Sequence, residues 1–465
     1  MVKHTNSLSI ATASIDITPS IGSHFVGHIN RDKPATGVLD PLYGRVLYMR
    51  DSESQEEVLL VNCDLLEFGK EESDSIVHAL SQTTGISASR IILTATHTHT
   101  GPPTLPFAGK PSDRNYLKIL TEKLCSAVEG IQENASPCEV SVQRTYLKIA
   151  CNRRKKIDGK IVMAPNPEGP IDPDLTTVFF RTDKGIEACI LHFAMHPTTL
   201  SVFSYLISAD YPGRALKHVR SFLESVNPRG APAPTCLFLQ GACGDVKPAV
   251  FDTDGNFKEG TEEDIEYLGN TIARAMEKVY FDTPLPVFAP RLRLKATPFS
   301  FKYHPLPTLE TIQNEIEKLE RNTNAVPDKK EKKAHIDPQK QNSVFMDWAK
   351  TIRTALLDPS QKLPDQEQRE LVCLYLGKDI VFVFVPGELF CSTGLEIKEL
   401  SPFPFTCVTC YFNGSVGYIP TLSSIEEGGY EATDAYKYYG APAPFYPNTE
   451  EALKKRILGL LRGKS

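Results

Sequence analysis

Six short runs of valine, isoleucine, leucine and phenylalanine stop abruptly at polar residues or glycine. Each run has the length and the β-branched content of a buried strand. Loops that follow buried strands vary freely on a rigid scaffold, so functional side chains collect there. The runs lie at residues 58–62, 91–96, 188–195, 236–239, 380–385 and 407–412. The residues directly after them are therefore the first candidates for a functional site.

Segments with helical periodicity alternate with these predicted strands. Residues 115–132 place apolar side chains at positions 117, 120, 124, 128 and 131, the spacing of one helix face. Residues 212–224 and 262–280 show a similar pattern. The alternation predicts an α/β fold of layered mixed β-sheets flanked by helices. We expect a single catalytic domain over residues 8–445, without an internal repeat of fixed period.

Residues 304–370 form a charged helical insertion in this domain. Amphipathic helices are predicted at 308–321 and 345–357, on either side of the lysine-rich string DKKEKK at 328–333. A solvated helical excursion accounts for this charge. The alternative is a lid or an oligomer contact beside the site, and the sequence leaves both open.

Composition and charge exclude several classes of function. The net charge of −6 argues against broad nucleic-acid binding, which needs a basic face, and leaves a small-molecule substrate as the expected partner. No apolar run approaches the ~18 residues of a membrane span, and the N-terminus lacks a secretory signal. Most of the 11 cysteines lie in apolar runs, as free thiols do in reducing compartments. We expect a cytoplasmic protein, and a homo-oligomer remains open.

The string HTHTGP at residues 97–102 follows the second predicted strand. In an extended strand residues i and i+2 share a face, so His97 and His99 would point the same way. Two imidazoles on one face suit a metal ion, or one ligand and one acid/base group. Two ordinary histidines are an equally good explanation of this pattern alone.

Two further candidates follow other predicted strands. His196 comes after the run 188–195, whereas His192 within that run is expected to be a core histidine because the segment lacks the HExxH glutamate. Glu388 follows a strand and a Pro-Gly turn, where an unpaired carboxylate would be costly to bury. A metal, arginine or lysine should therefore lie near it, unless Glu388 interacts with a helix dipole.

The chain resembles the neutral, non-lysosomal ceramidases over roughly residues 8–440. Its HTHTGP string is similar to the HTHSGP signature of that family, and matching motifs occur in the same order. They are ASIDITP at 13–19, NR at 152–153, AMH at 194–196, SADYPG at 208–213, GDVKP at 244–248, PGE at 386–388, GY at 417–418 and GYE at 429–431. The resemblance implies a ceramidase catalytic-domain fold.

By position, the resemblance implies a zinc ion, Zn(2+), held by His97, His196, Glu388 and Tyr418. It also implies that His99 faces the scissile amide and that Arg153 and Tyr430 lie close to the substrate. The expected reaction is amide hydrolysis by water that zinc activates, with an oxyanion stabilised by Arg153 and Tyr430. His99 would then give a proton to the leaving amine.

Three departures from the family pattern bear on the substrate. Lys247 and Ala249 replace the serine and asparagine of the family's GDVSPN motif. Too few residues follow Gly440 for the family's C-terminal immunoglobulin-like domain, and no secretion signal is found. A small soluble amide is therefore expected in place of ceramide. Alternatives are a metal-dependent hydrolase of an ester, lactone or glycosidic bond, and a non-catalytic ligand-binding descendant.

Several charged residues near these motifs complete the candidate substrate-binding set. Asp64, Asp210 and Asp245 could orient the histidines or cap helices. Lys247 could face an anionic group or be a solvated turn residue. Arg154 could replace Arg153 or bind a substrate carboxylate, and the sequence does not separate these roles.

Overall fold

The computed structural model describes residues 7–282, 284–287, 290–323 and 336–463. Its strands follow one another along the chain as β1 (Leu8–Asp16), β2 (Gly37–Val38), β3 (Tyr43–Asp51), β4 (Glu57–Cys63), β5 (Ile91–Ala95), β6 (Ser136–Pro137), β7 (Glu139–Tyr146), β8 (Ala150–Ile157), β9 (Lys160–Asn166), β10 (Asp174–Thr182), β11 (Gly185–Phe193), β12 (Leu206–Ile207), β13 (Thr235–Gln240), β14 (Val246–Pro248), β15 (Leu285–Pro286), β16 (Leu292–Lys302), β17 (Gln366–Leu376), β18 (Ile380–Phe384), β19 (Glu388–Leu389), β20 (Phe405–Thr409) and β21 (Tyr418–Ile419). Every one of the predicted strand runs overlaps one of these strands.

The helices that flank the sheets also match the predicted periodic segments. They are α1 (Lys70–Thr84), α2 (Arg114–Val128), α3 (Asp210–Val226), α4 (Glu262–Tyr280), α5 (Leu309–Thr323), α6 (Pro338–Leu357), α7 (Cys391–Leu400), α8 (Leu422–Glu427), α9 (Tyr430–Thr433), α10 (Ala435–Tyr438) and α11 (Thr449–Leu461). No helix in the described part of the chain combines the length and the hydrophobicity that crossing a bilayer requires.

Three larger sheets carry the fold. Their strand orders are β5-β4-β3-β1-β6, β13-β11-β10-β7-β15 and β16-β17-β18-β20. In each sheet the pairing is antiparallel apart from one parallel pair at an edge: β4 with β5, β11 with β13, and β18 with β20. The smaller sheets β14-β8-β9, β12-β2 and β19-β21 lie in the connections.

The same succession of elements occurs in all three larger sheets. Two antiparallel strands are followed by a helix and by a strand that returns parallel to the second one. The units are β3-β4-α1-β5, β10-β11-α3-β13 and β17-β18-α7-β20. Their connections differ in length, so the repetition leaves no fixed period in the sequence.

The three returning strands end beside one another. The Ala95 amide donates to the Tyr411 carbonyl at 3.3 Å, and the Cys410 amide donates to the Gln240 carbonyl at 2.9 Å. The loops that follow β5, β13 and β20 therefore start from one place in the fold.

One hydrophobic cluster holds the three sheets together. Leu60 of β4, Ile190 of β11 and Phe382 of β18 belong to it, and all are at most 1% exposed. The alternate residues of the same strands, such as Val61 and Leu191, pack in a second cluster with the helices. The period of two along each strand thus gives both faces an apolar partner, which is why the strands read as continuous apolar runs.

Helices α5 and α6 occupy most of the predicted insertion at 304–370. Ile312, Ile316, Phe345 and Trp348 pack there with Tyr438 of α10. The lysine-rich string at 328–333 lies outside the described residues. The role of this segment as a lid or an oligomer contact stays a prediction.

The compact unit extends beyond the expected boundary at residue 445. In α11, Glu450 accepts a hydrogen bond from the Thr393 hydroxyl at 2.8 Å, and the Leu460 carbonyl accepts one from the Tyr375 hydroxyl at 3.0 Å.

All 11 cysteines lie among the described residues as free thiols, and 10 of them are buried. This agrees with the expectation drawn from their apolar surroundings.

Candidate functional site

Three buried imidazole rings converge after the ends of β5 and β11. The Nε2 atom of His97 lies 3.1 Å from that of His196 and 3.3 Å from that of His99, and the last two atoms are 3.0 Å apart. His97 and His196 are each 1% exposed. Residues almost 100 positions apart in the sequence therefore meet at one point.

Main-chain carbonyls fix the orientation of all three rings. The Nδ1 atoms of His97, His99 and His196 lie 2.9, 3.2 and 3.3 Å from the carbonyl oxygens of Leu66, Gly27 and Cys243, respectively. A carbonyl oxygen only accepts hydrogen bonds, so each Nδ1 carries the proton and each Nε2 presents a lone pair.

The three lone pairs face one another without a proton between them. Burial, followed by the neighbouring His97 ring, lowers the pKa of His99 and His196 well below the usual value, so these rings are neutral. Two nitrogens bound to one tetrahedral zinc ion at about 2.0–2.1 Å would be roughly 3.3 Å apart. The spacing and the donor chemistry of His97, His99 and His196 fit a bound metal ion, and the group could hold one.

The backbone brings His97 to this point in a way that the strand argument did not predict. Strand β5 ends at Ala95, and His97 has φ 68°, in the left-handed region that costs energy for a residue with a side chain. The expectation that His97 and His99 share one face of an extended strand is therefore wrong. Their rings meet at 88° because the chain turns between them.

The His97 ring is held from its other side by Tyr411. The two rings stack with centroids 3.7 Å apart, and Tyr411 itself has φ 60°. His97 follows the returning strand of the first unit, and Tyr411 follows that of the third. The two strained residues thus support each other where the units meet.

Glu388 lies beside the histidines, fully buried. Its Oε2 is 3.5 Å from Nε2 of His97 and 3.9 Å from Nε2 of His196. Burial raises its pKa, but His97 and the Tyr439 hydroxyl more than offset this, and the pKa is lowered overall. A carboxylate next to converging imidazole lone pairs is the arrangement of a metal site. The cation that the sequence required near Glu388 could be this metal.

Tyr418 is attached to Glu388 through the backbone. The two residues are register partners in the β19-β21 pair, so they leave the sheet at the same level. The Tyr418 hydroxyl accepts a hydrogen bond from Nη2 of Arg153 at 2.9 Å. Arg153 in turn donates to Glu431 at 2.9 Å. Glu388, Tyr418 and Arg153 therefore form one connected group.

A small cavity of about 50 Å³ lies over this group. The predicted residues His99, Arg153, His196, Tyr418, Tyr430 and Lys247 line it. His97 and Glu388 do not line the cavity and are buried next to it. The structure therefore gathers the predicted metal-binding and catalytic residues around one space.

A larger cavity of about 650 Å³ adjoins the small one. Both cavities are lined by Gly27, His28, Ile29 and Phe107, and α6 contributes residues such as Val344 to the larger one. Gly27 has φ 94°, and a β-carbon there would lie 2.6 Å from Nδ1 of His99. Glycine is therefore required where the two cavities meet.

The predicted aspartates contact protein groups and do not line the small cavity. Asp64 pairs with Arg45 at 2.8 Å, and Asp210 accepts the amides of Thr199 and Leu200 at 3.0 and 3.1 Å. Asp245 accepts the Cys391 amide at 2.7 Å, at the start of α7. Asp210 and Asp245 hold the loops that carry site residues, and a substrate contact for any of the three is not favoured.

Arg154 also lies away from the cavity. It donates to Glu431 at 2.9 Å and to the Gly428 carbonyl at 2.7 Å. Its position therefore does not favour a direct contact with a substrate carboxylate. His192 donates from Nε2 to the Val408 carbonyl at 3.0 Å inside the core, as expected of a core histidine.

Several site residues carried no clear signal in the sequence. The Tyr439 hydroxyl donates to Glu388 at 2.7 Å, and Glu67 is a fully buried carboxyl near Glu388. Burial, followed by the charge of Glu388, raises the pKa of Glu67 to about 7. Arg31 donates to the His99 carbonyl. Glu431, which pairs with Arg153, is different because it stands in the GYE motif at 429–431 and could have been identified from the sequence.

Comparisons with known proteins identify relatives of the chain. A family model described as "Neutral/alkaline non-lysosomal ceramidase, N-terminal" matches residues 9–267. A neutral ceramidase of Mycobacterium tuberculosis is 26% identical over an alignment of 279 positions, which covers 56% of this chain and 43% of that protein. The match thus spans less than half of the length of this curated relative.

Two solved structures share the fold. The crystal structure of neutral ceramidase from Pseudomonas aeruginosa matches with a TM-score of 0.71 at 16% identity, over 98% of this chain and 75% of that one. A ceramidase complexed with C2 matches with a TM-score of 0.72 at 15% identity and the same coverage. The expected ceramidase-like α/β fold is confirmed.

Replacing Glu431 tests the charge balance of the site. Glu431→Gln removes the carboxylate between two buried arginines, and we expect it to lower the free energy of unfolding by about 3–5 kcal/mol. Glu427→Gln is the matched control, because Glu427 is 46% exposed and pairs with Arg154 at 3.7 Å. It should cost about 0–1 kcal/mol in urea denaturation. Equal effects of the two changes would contradict this account.

Proposed function

The chain belongs to the neutral/alkaline non-lysosomal ceramidase family, and on this premise we propose that it is a zinc-dependent hydrolase of a non-peptide amide. The observation that carries the proposal is the convergence of three imidazole Nε2 atoms within 3.3 Å of one another, beside a buried carboxylate. Without a cation such an arrangement leaves buried acceptors facing one another, which is unfavourable.

We assign the metal ligands to His97, His196 and Glu388, with Tyr418 completing the set. Two imidazoles and a carboxylate are common zinc ligands. Burial, followed by the charge of Glu388, raises the pKa of the Tyr418 hydroxyl, and the adjacent Arg153 guanidinium acts in the opposite direction, toward the phenolate form that ligation requires. Nε2 of His99 lies 3.3 Å from Nε2 of His97 and 3.0 Å from that of His196, so His99 is an alternative to Tyr418 as the fourth ligand. The experiment on His99 below separates the two.

Zinc, when bound, lowers the pKa of water toward ~7 and polarises a carbonyl group. The residues of the chain supply the remaining functions. The neutral Nε2 of His99 can accept a proton from the attacking water and then give it to the leaving nitrogen. An amide nitrogen needs this proton because an amide anion is a poor leaving group.

Arg153 and Tyr430 are placed to stabilise charge on the carbonyl oxygen. Both line the cavity with His99, and Arg153 is fixed by Glu431 and by the Gly244 carbonyl, with bonds of 2.9 and 2.7 Å. A donor that is already fixed needs little reorganisation when negative charge develops. The role of Arg153 explains why this arginine and its partner Glu431 are kept charged in a buried position.

The two cavities favour substrates of different size. The small cavity, about 50 Å³ and lined by polar groups, favours a small soluble amide. The adjoining cavity of about 650 Å³, lined in part by Phe25, Leu105 and Val344, favours an amide with a longer acyl chain. We propose the small soluble amide. Ester, lactone and glycosidic bonds remain alternatives, as does a non-catalytic binding protein.

Metal analysis tests the ligand assignment. The purified protein should contain about one zinc ion per chain by mass spectrometry, and a chelator should abolish turnover. His97→Ala and Glu388→Ala should each lose the metal because each removes a ligand. His192→Ala is the control, since His192 is equally buried but contacts the Val408 carbonyl. Metal retained in both ligand variants would refute the site.

Replacing His99 tests its role in proton transfer. His99→Ala should keep zinc and lose about 10²–10⁴-fold in kcat on an amide, but less on an activated ester, whose leaving group needs no proton. Equal losses on both substrates would count against the proton transfer. Loss of the metal would make His99 a ligand.

An acyl-chain series separates the substrate candidates. Each buried methylene contributes roughly 0.8 kcal/mol, so a lipid-binding site should favour an eight-carbon over a two-carbon acyl amide by more than a hundredfold. For a small soluble substrate we expect kcat/KM to change less than tenfold along the series. A steep increase would reassign the larger cavity to an acyl chain.

A further inference from the structure

The side chain of Lys247 lines the small cavity. It is the central residue of β14, where it pairs with Cys151 of β8, and it is 7% exposed. The same cavity is lined by His99, Arg153 and Thr198. Lys247 is therefore a buried cation next to the reacting groups and not a solvated turn residue.

The charge of Lys247 has no direct partner. Among the described residues no ion pair or hydrogen bond of its ammonium group is found, and the nitrogen lies 5.2 Å from the centroid of the Phe257 ring. Burial, followed by the charge of Arg153, lowers its pKa to about 8, while Glu259 and Asp210 act in the opposite direction. At pH 7 it is still mainly protonated.

The two carboxylates whose charges act on Lys247 each accept main-chain amides. Glu259 accepts the Val202 amide at 2.7 Å, and Asp210 accepts the amides of Thr199 and Leu200. Arg153, by contrast, pairs at 2.9 Å with Glu431, which it shares with Arg154. Lys247 is thus the cation of the cavity wall that the protein leaves without a bound counter-charge.

A second polar group of the cavity wall also lacks a partner. The Thr198 hydroxyl is buried and forms no hydrogen bond among the described residues. Thr198 and Lys247 line the same cavity. An ammonium and a hydroxyl, both unsatisfied and both donors, are the groups that bind an oxyanion.

We propose that Lys247 and Thr198 form a subsite for a carboxylate of the substrate, so that the enzyme acts on anionic N-acyl amides such as N-acylated amino acids. This proposal rests on the proposed amide hydrolysis and adds the substrate class. A carboxylate fits the small volume of the cavity better than a phosphate does. Its binding offsets the desolvation of the lysine, and a neutral amide leaves that charge unpaired.

Equilibrium binding to the metal-free protein tests the subsite without turnover and without a metal that could itself bind carboxylates. The probes are N-acetylglycine and N-acetylethanolamine, which have the same heavy-atom skeleton up to the carboxylate or hydroxymethyl end. By calorimetry, the wild-type protein should bind the carboxylate at least tenfold more tightly. N-ethylsuccinamic acid against N-ethylbutanamide tests a carboxylate on the acyl side.

Variants assign the preference to the lysine. Lys247→Met keeps the apolar stem against Phe257 and should abolish the preference, whereas Lys247→Arg should retain at least part of it. Lys258→Met is the control, because Lys258 is 38% exposed and pairs with Asp264 at 3.0 Å. If Lys247→Met does not fold, Lys247→Gln replaces it. A preference unchanged by these substitutions, or absent from the wild type for both probe pairs, overturns the proposal.

The pH dependence has a defined sign. The ammonium of Lys247 is lost as the pH rises through about 8, while the probe carboxylates stay ionised. The preference for the carboxylate should therefore be largest near pH 7 and disappear by pH 10. A preference that persists unchanged to pH 10 would assign it to an arginine and overturn the role of Lys247.

The outcomes separate this proposal from the proposed function. Zinc-dependent hydrolysis of amides without any preference for a carboxylate would sink the subsite and leave the hydrolase standing. A carboxylate preference that depends on Lys247, in a protein that hydrolyses no amide with zinc, would support the subsite and sink the hydrolase.

Discussion

Hydrogen bonds from three imidazole Nδ1 atoms to main-chain carbonyls set the chemistry of the whole site. Because the carbonyls of Leu66, Gly27 and Cys243 can only accept, the rings have one tautomer and one orientation each. The opposite nitrogens then converge on one point, where Glu388 also arrives. A side-chain partner could protonate or rotate away, whereas a carbonyl in a loop anchored to a sheet does not. The geometry of the site is therefore as rigid as the sheets beneath it.

The three repeated strand-helix-strand units bring these loops together. His196 and Glu388 follow the second strands of two units, and His97 and Tyr411 follow the returning strands of two. The returning strands end side by side, so residues from the first and last thirds of the chain become neighbours. The arrangement requires an unfavourable backbone conformation at His97 and at Tyr411, and their stacking holds both in place.

Much of this architecture could be predicted from the sequence. Buried strands are recognisable because their apolar runs are continuous, and residues such as His196 and Glu388 stand directly after them. The family and the fold were predicted correctly from motifs in order. What could not be predicted depends on distant contacts. The turn at His97 is stacked against Tyr411, more than 300 positions later in the chain, and the hydrogen bond from Tyr439 to Glu388 joins residues 51 positions apart.

The position of the candidate ligands along the chain has a consequence for biosynthesis. His97 and His196 leave the ribosome long before Glu388 and Tyr418, and the support from Tyr439 comes later still. A nascent or truncated chain carries His97, His99 and His196 without Glu388 and without the Tyr411 ring that stacks on His97. The full candidate site can therefore form only after the C-terminal third of the chain has been synthesised and packed.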